Sequence, residues 1–171
     1  MMAGMIIDTR QWRVRTGSRT YDAASIIRSY GGDPQVAYGY LKETYEEFQL
    51  KNQVMSNAER YEGGIVIALV SQKRISRSMM SQIADQILSV QGSEAAFVIA
   101  NDEQGLSCIS ARSNGNVNVQ RIMEKLGGGG HLSAAAVQRN DLSIEDLKTQ
   151  LIQQIQQEGG NRNESDLETG R

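Results

Sequence analysis

His131 is the one histidine in a chain of 171 residues, and four consecutive glycines, Gly127 to Gly130, run straight into it. Glycine loses more backbone freedom on folding than any other residue, so such a run marks a place where bare backbone must meet something. Exposed amides beside one titratable ring are parts from which a site for a phosphate-bearing ligand can be built. A flexible loop with a chance histidine is the alternative. A second candidate stands upstream, in Ile109-Ser110-Ala111-Arg112-Ser113. If residues 106–112 form a strand, Ser110 and Arg112 share one face. Arg112 carries a planar fork of donors suited to a phosphate or carboxylate, although strand-end arginines also serve as plain surface charges. Ser113 falls where that strand ends. Arg112 and His131 lie 19 positions apart with one short helix between them, close enough to converge on one pocket.

The elements that would position these residues follow from periodicity. Ile65 to Val70 is an unbroken apolar run, as expected of a central strand. Residues 76–90 carry Met79, Met80, Ile83, Ala84, Ile87 and Leu88 at helical spacing, with the methionines as core filling. Ala95 to Ala100 reads as a second buried strand. The turn Asp102-Glu103-Gln104-Gly105 then returns the chain into a partner strand over 106–112. A short helix over 118–126, a short strand over 134–138 and a helix capped by Ser143 complete the order. This predicts an α/β fold: a mixed sheet flanked by helices.

Upstream, Met5 to Ile7 reads as a buried strand with Asp8 at its C-terminal end, a usual place for ligands and metals in α/β folds. A helix follows Thr20 or Asp22. Beyond the break at Gly31-Gly32-Asp33-Pro34, a longer helix is expected from Pro34 to about Asn52. The organisation expected is 1–53 as a mostly helical segment, 54–157 as the sheet domain, and 158–171 as a disordered polar tail.

Bulk properties narrow the function. A net charge of −2 supplies no basic field, which argues against non-specific binding to long nucleic acid but leaves room for a local phosphate pocket. Cys108, the one cysteine, cannot form an internal disulfide and fits a reducing compartment. No apolar run approaches the ~20 residues of a membrane span, and no signal peptide is visible.

The motif Gly-Gly-Gly-Gly-His131-Leu-Ser-Ala-Ala, preceded by Ser110-Ala-Arg112-Ser113, resembles the DHH-associated C-terminal domain of the DHH phosphoesterases. Ala136 stands where that pattern usually ends in glycine. The N-terminal Ile6-Ile7-Asp8-Thr9 and Arg15-Thr16-Gly17-Ser18-Arg19-Thr20 resemble the end of the DHH catalytic domain in the GdpP-type branch. That branch consists of membrane-anchored bacterial enzymes that hydrolyse cyclic-di-AMP to linear pApA. The resemblance implies a substrate-binding role for Ser110, Arg112, Ser113, Gly128, Gly129, Gly130 and His131, with Arg19 facing the same cleft. It implies a two-metal centre, usually Mn2+, that activates a water. Asp8 alone matches a ligand of that centre, and one carboxylate cannot hold two hard cations.

The chain then reads as a fragment that opens in mid-strand, expected to bind nucleotide weakly and not to cleave it. Its partners would be a cyclic dinucleotide or short oligoribonucleotide and an upstream DHH domain. Exposed apolar surface on an orphan catalytic segment favours a homodimer. The parent would be anchored by upstream segments, with this part at the cytoplasmic face and making no membrane contact of its own. Two other readings stay open: an oligoribonuclease of the nanoRNase type, and a non-catalytic module that binds RNA ends, like the domain appended to alanyl-tRNA synthetases. The low net charge and the Asp8 segment count against the last.

Overall fold

Alternation along four strands decides the architecture. In β2 (Ile65–Val70) and β3 (Ala95–Asn101), even-numbered Val66, Ala68, Val70, Ala96, Val98 and Ala100 are buried in one apolar cluster. Odd-numbered Ile67, Ala95, Phe97 and Ile99 are buried in another. A strand apolar on both faces must be covered on both, and helices do so here. The computed structural model describes residues 1–9 and 11–168, with the backbone alone over 159–168.

The chain divides into two compact units, Met1–Phe48 and Gln49–Arg171. In the second, six strands among the described residues form one mixed sheet in the order β1-β2-β3-β4-β6-β5. β1 is Glu59–Tyr61, β4 Ser107–Ser113, β5 Gly129–His131 and β6 Ala134–Arg139. β2 and β3 are parallel and joined by α5 (Arg77–Leu88); the other pairings are antiparallel. α5 packs Met79, Met80, Ile83, Ala84 and Ile87 against the even-numbered face. Ser76 caps it by accepting from the Met79 amide at 3.1 Å. On the opposite face lie α6 (Val119–Lys125), with Val119, Ile122 and Met123, and α7 (Ile144–Glu168), with Leu147 and Leu151.

Three features of the sheet unit differ from what periodicity along the chain offers. The strand β1 carries no apolar alternation and was invisible to periodicity; it is a three-residue edge strand whose Glu59 is tied to Lys148 at 2.7 Å. The Gly129–His131 segment, for which a ligand-facing backbone and a flexible loop are the two readings, is a strand. The polar tail expected to be disordered from 158 continues as helix to Glu168, while 169–171 lie outside the described residues. No proline interrupts that stretch, and the two glycines at 159 and 160 cost about 1 kcal/mol each without forbidding a helix.

The first unit differs more. Met2–Asp8 is a helix, α1, rather than a buried strand. Met2 and Ile6, one turn apart, are its buried residues and pack with Ala37. The expected long helix is two: α3 (Pro34–Gly39), capped by Asp33, and α4 (Tyr45–Ser56). The restart is a reciprocal capping box, in which the Glu47 amide donates to Thr44 Oγ1 at 3.2 Å and the Thr44 amide to Glu47 Oε2 at 2.9 Å. Between α1 and α3, α2 spans Ser18–Ser29 and begins behind Gly17 with no side-chain cap.

The turn between β3 and β4 is built on Asp102, which is buried and accepts from the amides of Gln104 and Leu106, both at 3.0 Å. Burial pushes its carboxyl up, but those amides and the Arg77 guanidinium outweigh burial and hold it below the usual carboxylate range. A depressed native pKa gives stability that is present above the unfolded value and lost as pH falls through the native one. Asp102→Asn is therefore expected to melt below wild type at neutral pH. The gap should close in acid, below the ordinary carboxylate range, in thermal melts across pH.

Candidate functional site

β4 presents Ser110 and Arg112 on the even-numbered face, as alternation predicts, while Ile109 and Ala111 are buried on the other. α5 covers that face over β3 and β4. It supplies two polar partners one turn apart. Ser81 Oγ lies 3.1 Å from Ser110 Oγ, and Asp85 Oδ1 lies 3.2 Å from Arg112 Nε. Arg112 Nη1 also donates to the Ala111 carbonyl at 3.0 Å. These contacts fix the guanidinium at the margin of the covered region, with its side chain 16% exposed. Ser81 and Asp85 were not singled out in the sequence. The signal for them is their spacing with Arg77 at i, i+4 and i+8 among apolar α5 positions.

Beyond β4 the same face changes character. In β6, Ala135 and Val137 point into the α6 and α7 core, whereas Ala134 is half-buried and Ala136 and Gln138 are exposed. Register then brings the predicted residues into rows. Arg112 pairs with Ala134, and Ala134 with His131; Ser110 pairs with Ala136, and Ala136 with Gly129. Arg112 and His131 therefore stand on one face with a single alanine between them, their backbones about 10 Å apart. His131 is exposed. The result is an open floor of Ala134, Ala136 and Gly129, bordered by Arg112 and Ser110 on one side and His131 on the other.

The glycine run has a different construction from a phosphate-cradling loop. Gly127, with φ of 83°, and Gly128 end α6 in a Schellman motif. The Gly128 amide donates to the Met123 carbonyl at 2.8 Å and the Gly127 amide to Glu124 at 3.1 Å. The Gly128 amide is thus engaged by the helix end. Gly128 is glycine for want of space: a Cβ there would overlap the Ala136 carbonyl oxygen and lie 2.5 Å from Val137 Cγ2. Gly130, with φ of 149°, would likewise drive a Cβ into Ala134 and Ala135. Gly129 alone of the three has open space where a side chain would go.

Leu132 and Ser133 form the turn between β5 and β6, and backbone bonds fasten it. The Ser113 amide donates to Ser133 O at 2.9 Å and the Val119 amide to Leu132 O at 3.1 Å. Ser113 is buried, and its hydroxyl donates to the Val117 carbonyl at 2.6 Å and accepts from the Gly115 amide. It shapes the loop after β4 and faces away from the row that holds Arg112. Asp8 and Arg19 belong to the other unit, Asp8 as the exposed last residue of α1 and Arg19 in the first turn of α2.

Among the described residues no three His, Cys, Asp or Glu side chains come together in a way that could hold a metal ion. The residues present therefore do not fit a two-metal centre. A cavity of about 620 Å³ in the sheet unit lies elsewhere, lined by Ile65, Ile67, Val117, Ile122, Ile152 and Ile155 and rimmed by Glu62 and Glu158. It offers no cationic lining to a phosphate.

Residues 62–158 match the DHHA1 domain, more than half of the chain. The chain belongs to the DHHA1 domain family. The DHHA1 match runs from the turn after β1 into α7, ending at Glu158. The chain is 43% identical over 156 residues to the cyclic-di-AMP phosphodiesterase PdeA of Listeria monocytogenes, covering 91% of this chain and 24% of that protein. It is 39% identical over 165 residues to the cyclic-di-AMP phosphodiesterase GdpP of Bacillus subtilis, covering 94% of this chain and 25% of that one. A bifunctional oligoribonuclease and PAP phosphatase, NrnA, of Thermus thermophilus is 29% identical over 92% of this chain and 49% of its own. The chain thus spans about a quarter of the length of the cyclic-di-AMP phosphodiesterases it matches. An exopolyphosphatase-related protein from Bacteroides fragilis shares the fold, with a TM-score of 0.77 over 90% of this chain and 47% of its own at 20% identity. The resemblance to GdpP-type DHH phosphoesterases and the α/β sheet architecture both hold. Among the described residues no helix is long and apolar enough to cross a membrane.

The two glycines separate structure from recognition. Gly128→Ala is expected to cost about 1–3 kcal/mol or more, read by denaturant melts, since neither the carbonyl nor Val137 can withdraw without moving β6. Gly129→Ala is expected to leave stability within about 0.5 kcal/mol while placing a methyl on the open floor.

Proposed function

We propose that this chain is the nucleotide-holding part of a phosphodiesterase that acts on cyclic-di-AMP. The observation that carries the reading is the shared row, with Arg112 and His131 on one open face and only Ala134 between them. Arg112 supplies a charge-assisted donor to a phosphate, and His131 donates to a phosphate oxygen or to the leaving oxygen. The floor of Ala134, Ala136 and Gly129 leaves room for the sugar or base to lie flat. Asp85 and the Ala111 carbonyl set the plane of the guanidinium. Relatives that bear the name cyclic-di-AMP phosphodiesterase across nine-tenths of this chain support the substrate class.

Cleavage of a phosphodiester needs an activated water, and among the described residues no three His, Cys, Asp or Glu side chains gather to hold a metal that would activate one. On this reading the chain by itself binds nucleotide weakly and does not hydrolyse it. Metal-dependent cleavage belongs to a complete enzyme. Identity with an oligoribonuclease favours, as a second reading, a linear dinucleotide on the same floor.

Calorimetric titration with cyclic-di-AMP tests this. Saturable binding near the millimolar range, about −4 kcal/mol, is expected, weakened at least tenfold in Arg112→Ala and in His131→Ala. Equal affinity in both variants and wild type would remove the site from this face. Manganese-dependent cleavage by the chain would refute its inactivity. A parallel titration with a short RNA separates the two substrate classes.

A further inference from the structure

One cavity of the sheet unit stands apart from the nucleotide face. It lies on the odd-numbered side of the sheet, the reverse of the side that carries Arg112 and His131, and measures about 620 Å³. Tyr61 of β1 with Ile65 and Ile67 of β2 forms its base. The residues that open α6 form one wall, and residues 152–158 of α7 form the other. Five isoleucines and Val117 make the lining apolar. Ile67 and Ile122 are buried, while Ile65, Ile152 and Ile155 are half-buried and leave apolar surface within reach of a ligand. Small-ligand pockets commonly enclose ~300–1,000 Å³, with mostly apolar walls and a few polar groups that fix orientation.

The charges in the lining are of one sign. They are Glu62 and Glu158, and no lysine or arginine lines the cavity. The two carboxylates are not equivalent. Lys125 Nζ lies 2.7 Å from Glu158 Oε1 and offsets that charge from outside the lining. Glu59, two residues before Tyr61, is likewise satisfied within the protein, by Lys148 Nζ and the Tyr61 hydroxyl, each at 2.7 Å. Among the described residues no cation does the same for the exposed Glu62. The Tyr61 ring lines the cavity beside it in the chain, and aromatic faces attract cations. The start of α6 offers an anion little, because the Val119 amide donates to Leu132 O and the Arg121 amide to Asn118 Oδ1. We infer that this cavity is a second ligand site, for a compact apolar molecule that carries one protonated amine. The apolar body lies among the isoleucines and the ammonium group meets Glu62 at the rim. The site is independent of the nucleotide face, from which the sheet itself separates it.

Octylammonium, octanol and octanoate test it, since they share one apolar chain and differ in the charge of the head group. The readout is NMR of the whole chain with methyl-labelled isoleucine, which reports the cavity residue by residue. Saturable shifts are expected at Ile65, Ile67, Ile122, Ile152 and Ile155. None is expected at Ile26 and Ile27, which line an apolar groove of the first unit. Octylammonium should bind about tenfold tighter than octanoate, with octanol between them. Glu62→Gln should narrow that ratio about threefold and leave octanol affinity unchanged, and Glu62→Lys should turn the preference toward octanoate. Glu62 is exposed, so neither exchange disturbs the core. Equal affinity for all three probes, or a preference indifferent to Glu62, would overturn the amine assignment. Shifts confined to Ile26 and Ile27, or no saturable shift at all, would overturn the site. Each of these outcomes leaves nucleotide binding by Arg112 and His131 to its own titration.

Discussion

The close passage of the Gly128 backbone over Ala136 and Val137 sets the position of everything at this end of the sheet. No side chain fits between the two segments, so α6 can end and turn straight into β5 only with glycine there. The Schellman bonds of Gly127 and Gly128 close the helix in the same few residues. β5 then lies along β6 in a register that leaves His131 on the face away from α6. Had the helix ended one residue later, alternation would carry His131 to the buried side. The glycines act on the site through geometry, by delivering one ring to one face. Their amides are in part committed to the helix end.

That face is divided by the width of α5. One helix covers about two strands, and α5 sits over β3 and β4. The edge of its coverage falls on Ser110 and Arg112, where the buried apolar surface gives way to polar pairs. The floor beyond holds only alanine, glycine and glutamine, residues that leave little apolar surface to water. An exposed strand face of this composition is stable because its other side, Ala135 and Val137, is fully engaged by α6 and α7.

How much of this was legible in the sequence depended on the range of the interactions. Period-two and period-3.6 patterns placed β2, β3, β4, α5 and α6 because burial on known faces dictates those patterns. The same alternation put Ser110 and Arg112 together. The pairing of β5 with β6 was not legible, because three glycine-rich residues carry no apolar pattern and the pairing is settled by contacts with Ala134 to Ala136. Gly128 was singled out for the right residue type but read as ligand-facing, since sequence does not tell a glycine needed for close packing from one needed for an exposed amide. Met5 to Ile7 misled in the opposite direction: three apolar residues fit a strand or a helix equally, and the Met2–Ile6 spacing decides for the helix. The break at Gly39 to Thr44 was written in Thr44-Tyr45-Glu46-Glu47, a capping box hidden inside an otherwise periodic stretch.

The Arg112–Asp85 pair gives a physical reason to regard the polar margin as functional. Both partners are largely covered, and the guanidinium leans on a carboxylate and a carbonyl at the end of an apolar helix–sheet interface. An ion pair in such a place gains little net stability, because desolvation consumes much of the attraction, and an apolar pair of similar volume would pack the position as well. What apolar residues cannot do is hold a planar, permanently charged group at a fixed angle beside an open floor. Asp85 restrains Arg112 at its Nε edge and the Ala111 carbonyl at Nη1, so the side chain loses its freedom on folding instead of on meeting a ligand. The stability forgone at this margin is what would be expected if the arrangement serves recognition, and Ser81 with Ser110, one turn along, continues the same polar seam toward the far end of the floor.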